Sequence, residues 1–143
     1  SRIGGDFEAL RTTPYFRRFR VSRAEESTII DLVLETVRAI SEPIALPSYD
    51  ILIDTPEELA VNKVCALVGR AEPRDLVDLH FLHAQGLNLD NAIIQAKQKD
   101  GGVGADTLLM ALQGISPEQL DESTTMFMST LQKKLSLDLL PPE

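Results

Sequence analysis

Residues 63–78 hold a set of charged side chains that could do chemistry, among them Lys63, Arg70, Arg74, Asp75 and Asp78. Lys63 and Arg70 stand seven apart, so on a helix they lie nearly above one another. A lysine point charge and an arginine fork so placed can reach over the edge of a core toward an anion such as phosphate. The same spacing also suits two cations that simply run their stems along apolar surface into water. Asp75 falls where a helix dipole favours negative charge, and Arg74 can pair with Asp78 at i, i+4. Asp31 interrupts an otherwise apolar run, Ile29-Ile30-Asp31-Leu32-Val33. Burying a carboxylate costs roughly several kcal/mol unless it is paired or metal-bound, so that position needs a reason. His80 and His83 have a metal-binding spacing but no evident third ligand, and they read as helix histidines. Cys65, the single cysteine, reads as a packed thiol with no histidine paired to it.

The elements that must position these groups follow from periodicity and punctuation. Residues 16–21 alternate Phe19 and Val21 against Arg18 and Arg20, which predicts a strand with one wet face. Polar residues 22–27 predict a turn, and residues 28–34 a second strand, apolar on both sides as in the interior of a sheet. A helical turn or two is expected around Val37, then a loop punctuated by Pro43 and Pro47 and a short strand over residues 49–53. Thr55-Pro56-Glu57-Glu58 predicts a helix start, with Thr55 as N-cap, Pro56 as first residue and Glu58 as the reciprocal capping-box partner. Ser116-Pro117-Glu118-Gln119 repeats it. Helices are predicted over residues 56–70, 73–85, 89–99, 104–113 and 117–136, with glycines between them. The first buries Ala60, Val64, Leu67, Val68 and Ala71; the last aligns Leu120, Phe127, Met128, Leu131 and Leu135. Strands followed by a helical bundle predict an α+β fold. The expected division is a sheet region over residues 1–54 and helices packed on it over 55–143, as one compact unit.

Fourteen basic against 22 acidic residues give a net charge of −8, which argues against the whole surface serving as a nucleic-acid platform. Six arginines nonetheless fall in residues 1–23 against Asp6 and Glu8, leaving room for a local basic face. One cysteine forms no intrachain disulfide, and neither a signal peptide nor a membrane-length apolar run is visible. A soluble cytoplasmic protein without membrane association is expected.

The string from Asp54 to Leu79, with Lys63, Ala66-Leu67, Arg70, Arg74-Asp75 and Asp78-Leu79 in one register, resembles the third motif of the AbiEii-type nucleotidyltransferase toxins. The Ile30-Asp31-Leu32-Val33 strand resembles that family's preceding motif, and the likeness covers roughly residues 15–100. The resemblance implies a partial nucleotidyltransferase sheet and transfer of a nucleotidyl group from a nucleoside triphosphate, with Mg2+, to an RNA or protein acceptor. It implies Asp31 as the third carboxylate, at the edge of the metal shell, orienting or deprotonating the acceptor. Lys63 would contact the triphosphate, Arg70 and Arg74 would assist, and Asp75 and Asp78 would fix the helix pair or line the site. An antitoxin partner is implied as well.

In such enzymes the principal metal ligands come from an upstream glycine-rich turn and an acidic pair on a strand, which this chain lacks. Gly4-Gly5-Asp6 reads as a linker. The chain opens without methionine and reads as the carboxy-terminal piece of a longer enzyme, inactive by itself and without a complete metal site. An incomplete sheet would expose an edge and apolar surface, so a homo-oligomer is expected. The other reading is a non-catalytic module on the same fold that binds a protein or RNA through the charged helix edge.

Overall fold

In the computed structural model, which describes residues 4–141, Thr55 caps a helix as its chemistry predicts. Its Oγ1 accepts from the Glu58 N–H at 3.1 Å, and Pro56 opens helix α1, Pro56–Arg70. The Glu58 carboxylate does not reach back to the cap. It accepts instead from the N–H groups of Ile40, at 2.7 Å, and Ser41, at 3.1 Å, and from Lys99.

The chain divides into two units, Ser1–Arg38 and Ala39–Glu143. That boundary precedes a short hairpin, whereas the sequence reading carried the sheet region to residue 54. The first unit is an antiparallel meander of β1, Asp6–Thr12, β2, Phe16–Arg23, and β3, Glu26–Val33, in that order. β1 starts at Asp6, the last residue of the expected Gly4-Gly5-Asp6 linker, and runs through residues for which no strand was predicted. A bulge between Ala9 and Arg11 breaks the period of two that would have revealed it. Gly5 is required just before it, because a Cβ there would meet the Ser22 carbonyl oxygen at 2.5 Å. The turn between β2 and β3 is only Ala24-Glu25, with Ala24 in the left-handed region at φ 52°, as tight hairpins demand. Of the three strands β2 is central and β3 lies at an edge of the described sheet, not in its interior; Ile30 and Leu32 on one face and Ile29 and Val33 on the other are all exposed. The turn of helix expected around Val37 is absent from the described residues.

In the second unit β4, Ile44–Leu46, pairs antiparallel with β5, Ile51–Ile53. β4 lies between Pro43 and Pro47, too short for periodicity to disclose. The helices are α1, α2 (Pro73–Ala84), α3 (Leu89–Lys99), α4 (Ala105–Gln113) and α5 (Glu122–Asp138). The fold is α+β as expected. Ser116-Pro117 opens only a 3-10 turn, Pro117–Gln119, without a side-chain cap. The cap that starts α5 is Asp121, whose Oδ1 accepts from Thr124 N at 2.6 Å.

α1 is the hub: it packs against α2, α3 and α4, while α5 closes over α2 and α4. Ala60, Val61, Val64 and Leu67 of α1 are fully buried, as are Leu76 and Leu79 of α2. Replacing Leu67 or Leu79 by alanine should therefore cost about 2–5 kcal/mol each in denaturant unfolding. Losses below about 0.5 kcal/mol at both would mean that these stripes do not share a core. Among the described residues no helix is long and apolar enough to cross a membrane.

Candidate functional site

The α1–α2 corner is made by two residues, Ala71 and Glu72. Ala71 ends α1 in the left-handed conformation, φ 51°, and its N–H returns to the Leu67 carbonyl at 2.9 Å. Pro73 then starts α2, so Asp75 falls in its first turn, facing back onto α1.

There Asp75 is fully buried and receives three hydrogen bonds. Arg70 holds it with a fork, Nε to Oδ2 at 2.8 Å and Nη2 to Oδ1 at 2.9 Å, and Lys63 Nζ donates to Oδ1 at 3.1 Å. Lys63 Nζ also pairs with Asp78 at 2.5 Å. Arg70 to Asp75 and Lys63 to Asp78 run in opposite chain directions, as the expected helical hairpin requires. Burial opposes ionisation of Asp75, but Arg70 and Lys63 outweigh it and hold the carboxyl below the usual range. Burial likewise works against the Lys63 charge, and Asp78 with Asp75 overcomes it, raising the lysine. Asp75 raises Arg70.

Four of the sequence-predicted residues, Lys63, Arg70, Asp75 and Asp78, thus meet in one ion cluster. Asp75 is not the capping charge its position suggested but the acceptor that both cations share. Arg74 stands apart: two-thirds exposed, it pairs with Glu72 at 2.6 Å rather than with Asp78.

Asp31 lies in the other unit. Opposite Arg18 in the β2–β3 register, it accepts a two-point bond from that guanidinium, both contacts at 2.7 Å. The side chain is more than a third exposed, and the Arg18 hydrogen bonds lower its pKa. It is therefore not the buried carboxylate its apolar neighbours implied; an arginine across the strand explains it. Arg20 and Glu8 pair on the same sheet face at 2.9 Å. A Mg2+ ion does not fit these described residues. Both Asp31 oxygens already accept from Arg18, and among the described residues no three His, Cys, Asp or Glu side chains are grouped so as to hold a metal ion.

The histidines face α5. His80 Nδ1 lies 3.2 Å from the Thr124 hydroxyl and its ring stacks on Phe127; His83 Nδ1 donates to the Leu87 carbonyl at 3.2 Å. Cys65 is half-buried, and burial raises its thiol pKa.

Sequence reasoning missed the Glu58–Lys99 pair, both partners buried, with Asn62 accepting from the same ammonium at 2.7 Å. Burial raises the Glu58 pKa, but Lys99 and the Ser41 and Ile40 amides pull it below the usual value. No local spacing signals a pair separated by 41 residues.

The family model described as the nucleotidyl transferase AbiEii toxin of type IV toxin–antitoxin systems matches residues 15–140. A crystal structure of a candidate nucleotidyltransferase from H. pylori is similar at 19% identity and a TM-score of 0.49, over 95% of this chain and 69% of that one. None of the curated proteins compared matches.

Proposed function

Because this chain belongs to the AbiEii nucleotidyltransferase toxin family, we propose that it supplies the triphosphate-binding edge of a nucleotidyl transfer site whose acceptor is an RNA or a protein. The observation that carries this reading is the sharing of one buried carboxylate by two cations. Asp75 fixes Lys63 and Arg70 on a common oxygen, so their nitrogens lie within two hydrogen-bond lengths of each other. Arg70 spends Nε and Nη2 on Asp75, leaving Nη1 to meet a phosphate oxygen. Lys63 keeps one of its three N–H donors beyond those given to Asp75 and Asp78. Donors held in place before the ligand arrives lose little freedom on binding. Arg74, two-thirds exposed and paired with Glu72, lies outside this cluster.

Within this proposal Asp78 keeps Lys63 extended. The chain by itself does not complete transfer, since the family's Mg2+ needs carboxylates beyond those described. The antitoxin expected of such a family would be its protein partner, in the cytoplasm, and self-association of the chain remains part of the proposal. The matching of every site charge by a neighbour in its own unit supports a second reading, a non-catalytic module that binds protein or RNA.

The deciding measurement is titration of the chain with ATP and with inorganic tripolyphosphate at low and high salt. Binding that weakens with salt and drops about tenfold in Lys63→Met and Arg70→Met is expected. No binding of either at millimolar concentration would favour the module. Labelled nucleoside triphosphates with cellular RNA and protein should leave the chain silent, and robust labelling lost in Asp31→Ala would overturn its proposed inactivity.

A further inference from the structure

Beyond the end of α2 the chain turns at Gly86, with φ 97°, and Asn88 starts α3 by accepting from the Asn91 N–H at 3.0 Å. α5 presents Phe127, Leu131 and Lys134 beside this turn at i, i+4 and i+7, the spacing of one helix face. Between them lies a pocket of about 400 Å³, within the roughly 300–1,000 Å³ of small-molecule sites. Leu87, Phe127 and Leu131 give it an apolar wall; Asp90 of α3 and Lys134 of α5 also line it and pair with each other. Phe127 is braced from α2, the His80 ring stacking on it at 4.8 Å and the His83 ring tilted against it at 5.6 Å. The pocket shares no residue with the Lys63–Arg70 cluster, so it stands apart from the triphosphate reading.

We propose that this pocket holds a free α-amino acid with an apolar side chain, its carboxylate on Lys134, its ammonium on Asp90 and its side chain against Leu87, Phe127 and Leu131. The charge pattern selects this occupant. The Lys134 and Asp90 side chains are 43% and 59% exposed, and an ion pair so open to water contributes little, so a ligand can part it at little cost. A simple anion taken by Lys134 would lie within reach of Asp90 and be repelled, and a simple cation on Asp90 would meet Lys134. A ligand that carries both charges gives each side chain a new partner: its carboxylate replaces Asp90 on Lys134, and its ammonium replaces Lys134 on Asp90. In an α-amino acid the two charged groups stand on one carbon together with the side chain, which is thereby brought to the apolar wall. An uncharged ligand would use that wall alone and leave the ion pair closed.

The experiment is calorimetric titration of the full chain at neutral pH with leucine, phenylalanine, glycine, N-acetyl-leucine, leucinamide and the doubly blocked N-acetyl-leucinamide. Leucine or phenylalanine should bind with a Kd of about 0.1–1 mM, the strength open to so small a ligand, and glycine and each blocked form about tenfold more weakly. Lys134→Gln and Asp90→Asn alter exposed side chains and should fold as the parent does, each losing about tenfold in leucine affinity. Lys134→Gln should no longer separate leucine from leucinamide by more than about twofold, and Asp90→Asn should no longer separate leucine from N-acetyl-leucine. A pair with only a structural role would not give that crossed loss of discrimination. Leucine and phenylalanine both unbound at about 10 mM would overturn the proposal. So would leucine affinity unchanged in both variants, or N-acetyl-leucinamide bound as tightly as leucine, since the apolar wall would then recognise its ligand without the charges.

Discussion

Glu58→Ala is expected to lower the unfolding free energy by about 3–5 kcal/mol at neutral pH. The change removes the acceptor of the Ile40 and Ser41 amides and leaves the Lys99 ammonium, 8% exposed as a side chain, without its counter-charge. Each orphaned group adds the cost of a buried donor, about 1–3 kcal/mol, moderated where the chain relaxes toward water. The pH dependence has a definite sign. The folded-state pKa of Glu58 is lowered, so its contribution is complete above the unfolded carboxylate value, about 4.3, and fades as pH falls through the folded value. The gap between parent and variant should therefore narrow below about pH 4. Urea unfolding at pH 7 and pH 3 measures it. Replacing both partners, Glu58→Leu with Lys99→Met, should recover part of the loss, because an apolar pair carries no unmet charge. A Glu58→Ala loss below about 1 kcal/mol would show that the pair is idle.

Asp75→Ala should cost about 2–4 kcal/mol, less than a wholly buried ion triad would, because Arg70 and Lys63 can turn to water once released. Arg70→Met should cost only about 1 kcal/mol, since Lys63 still satisfies the carboxylate and the arginine was nearly half exposed. The order of the two losses is the informative result: the buried acceptor, not the visible cations, holds the corner. The double variant should cost less than the sum of the single ones, the mark of a shared network. Because the Asp75 pKa is also lowered, its share too is present above the ordinary aspartate value, about 3.9, and is lost in acid. An Arg70→Met loss exceeding that of Asp75→Ala in urea unfolding would sink this account.

The helices were legible because their stripes and stops are local. Thr55-Pro56 and the run from Ala60 to Leu67 give α1 at its observed bounds, and the spacing of Lys63 and Arg70 put both on its margin. What was not legible depends on contacts distant in the chain or on broken periods. Glu58 has the sequence of a capping-box partner but is claimed by Lys99 and by the backbone at residues 40 and 41. Asp31 looks buried among isoleucines until the register brings Arg18 opposite it. β1 hides behind its bulge. Ser116-Pro117 carries the same start signal as Thr55-Pro56, yet the chain turns at Leu120 and Asp121 supplies the cap. Start signals state where a helix is permitted, and burial further along decides whether it continues.

The two-residue corner at Ala71 and Glu72 bears on which changes of chain length this fold tolerates. Each residue advances a helix by about 100° around its axis. One residue gained or lost between Arg70 and Pro73 would swing Asp75 away from Lys63 and Arg70 and turn Leu76 and Leu79 out of the core together. The connection after α2 is longer, with Gly86 at φ 97° and open space around it, so it can absorb an added residue before α3 begins. Insertions and deletions among descendants of this sequence should thus collect in the turn around Gly86 and be purged from the corner at Ala71, where spacing rather than residue type is what selection preserves.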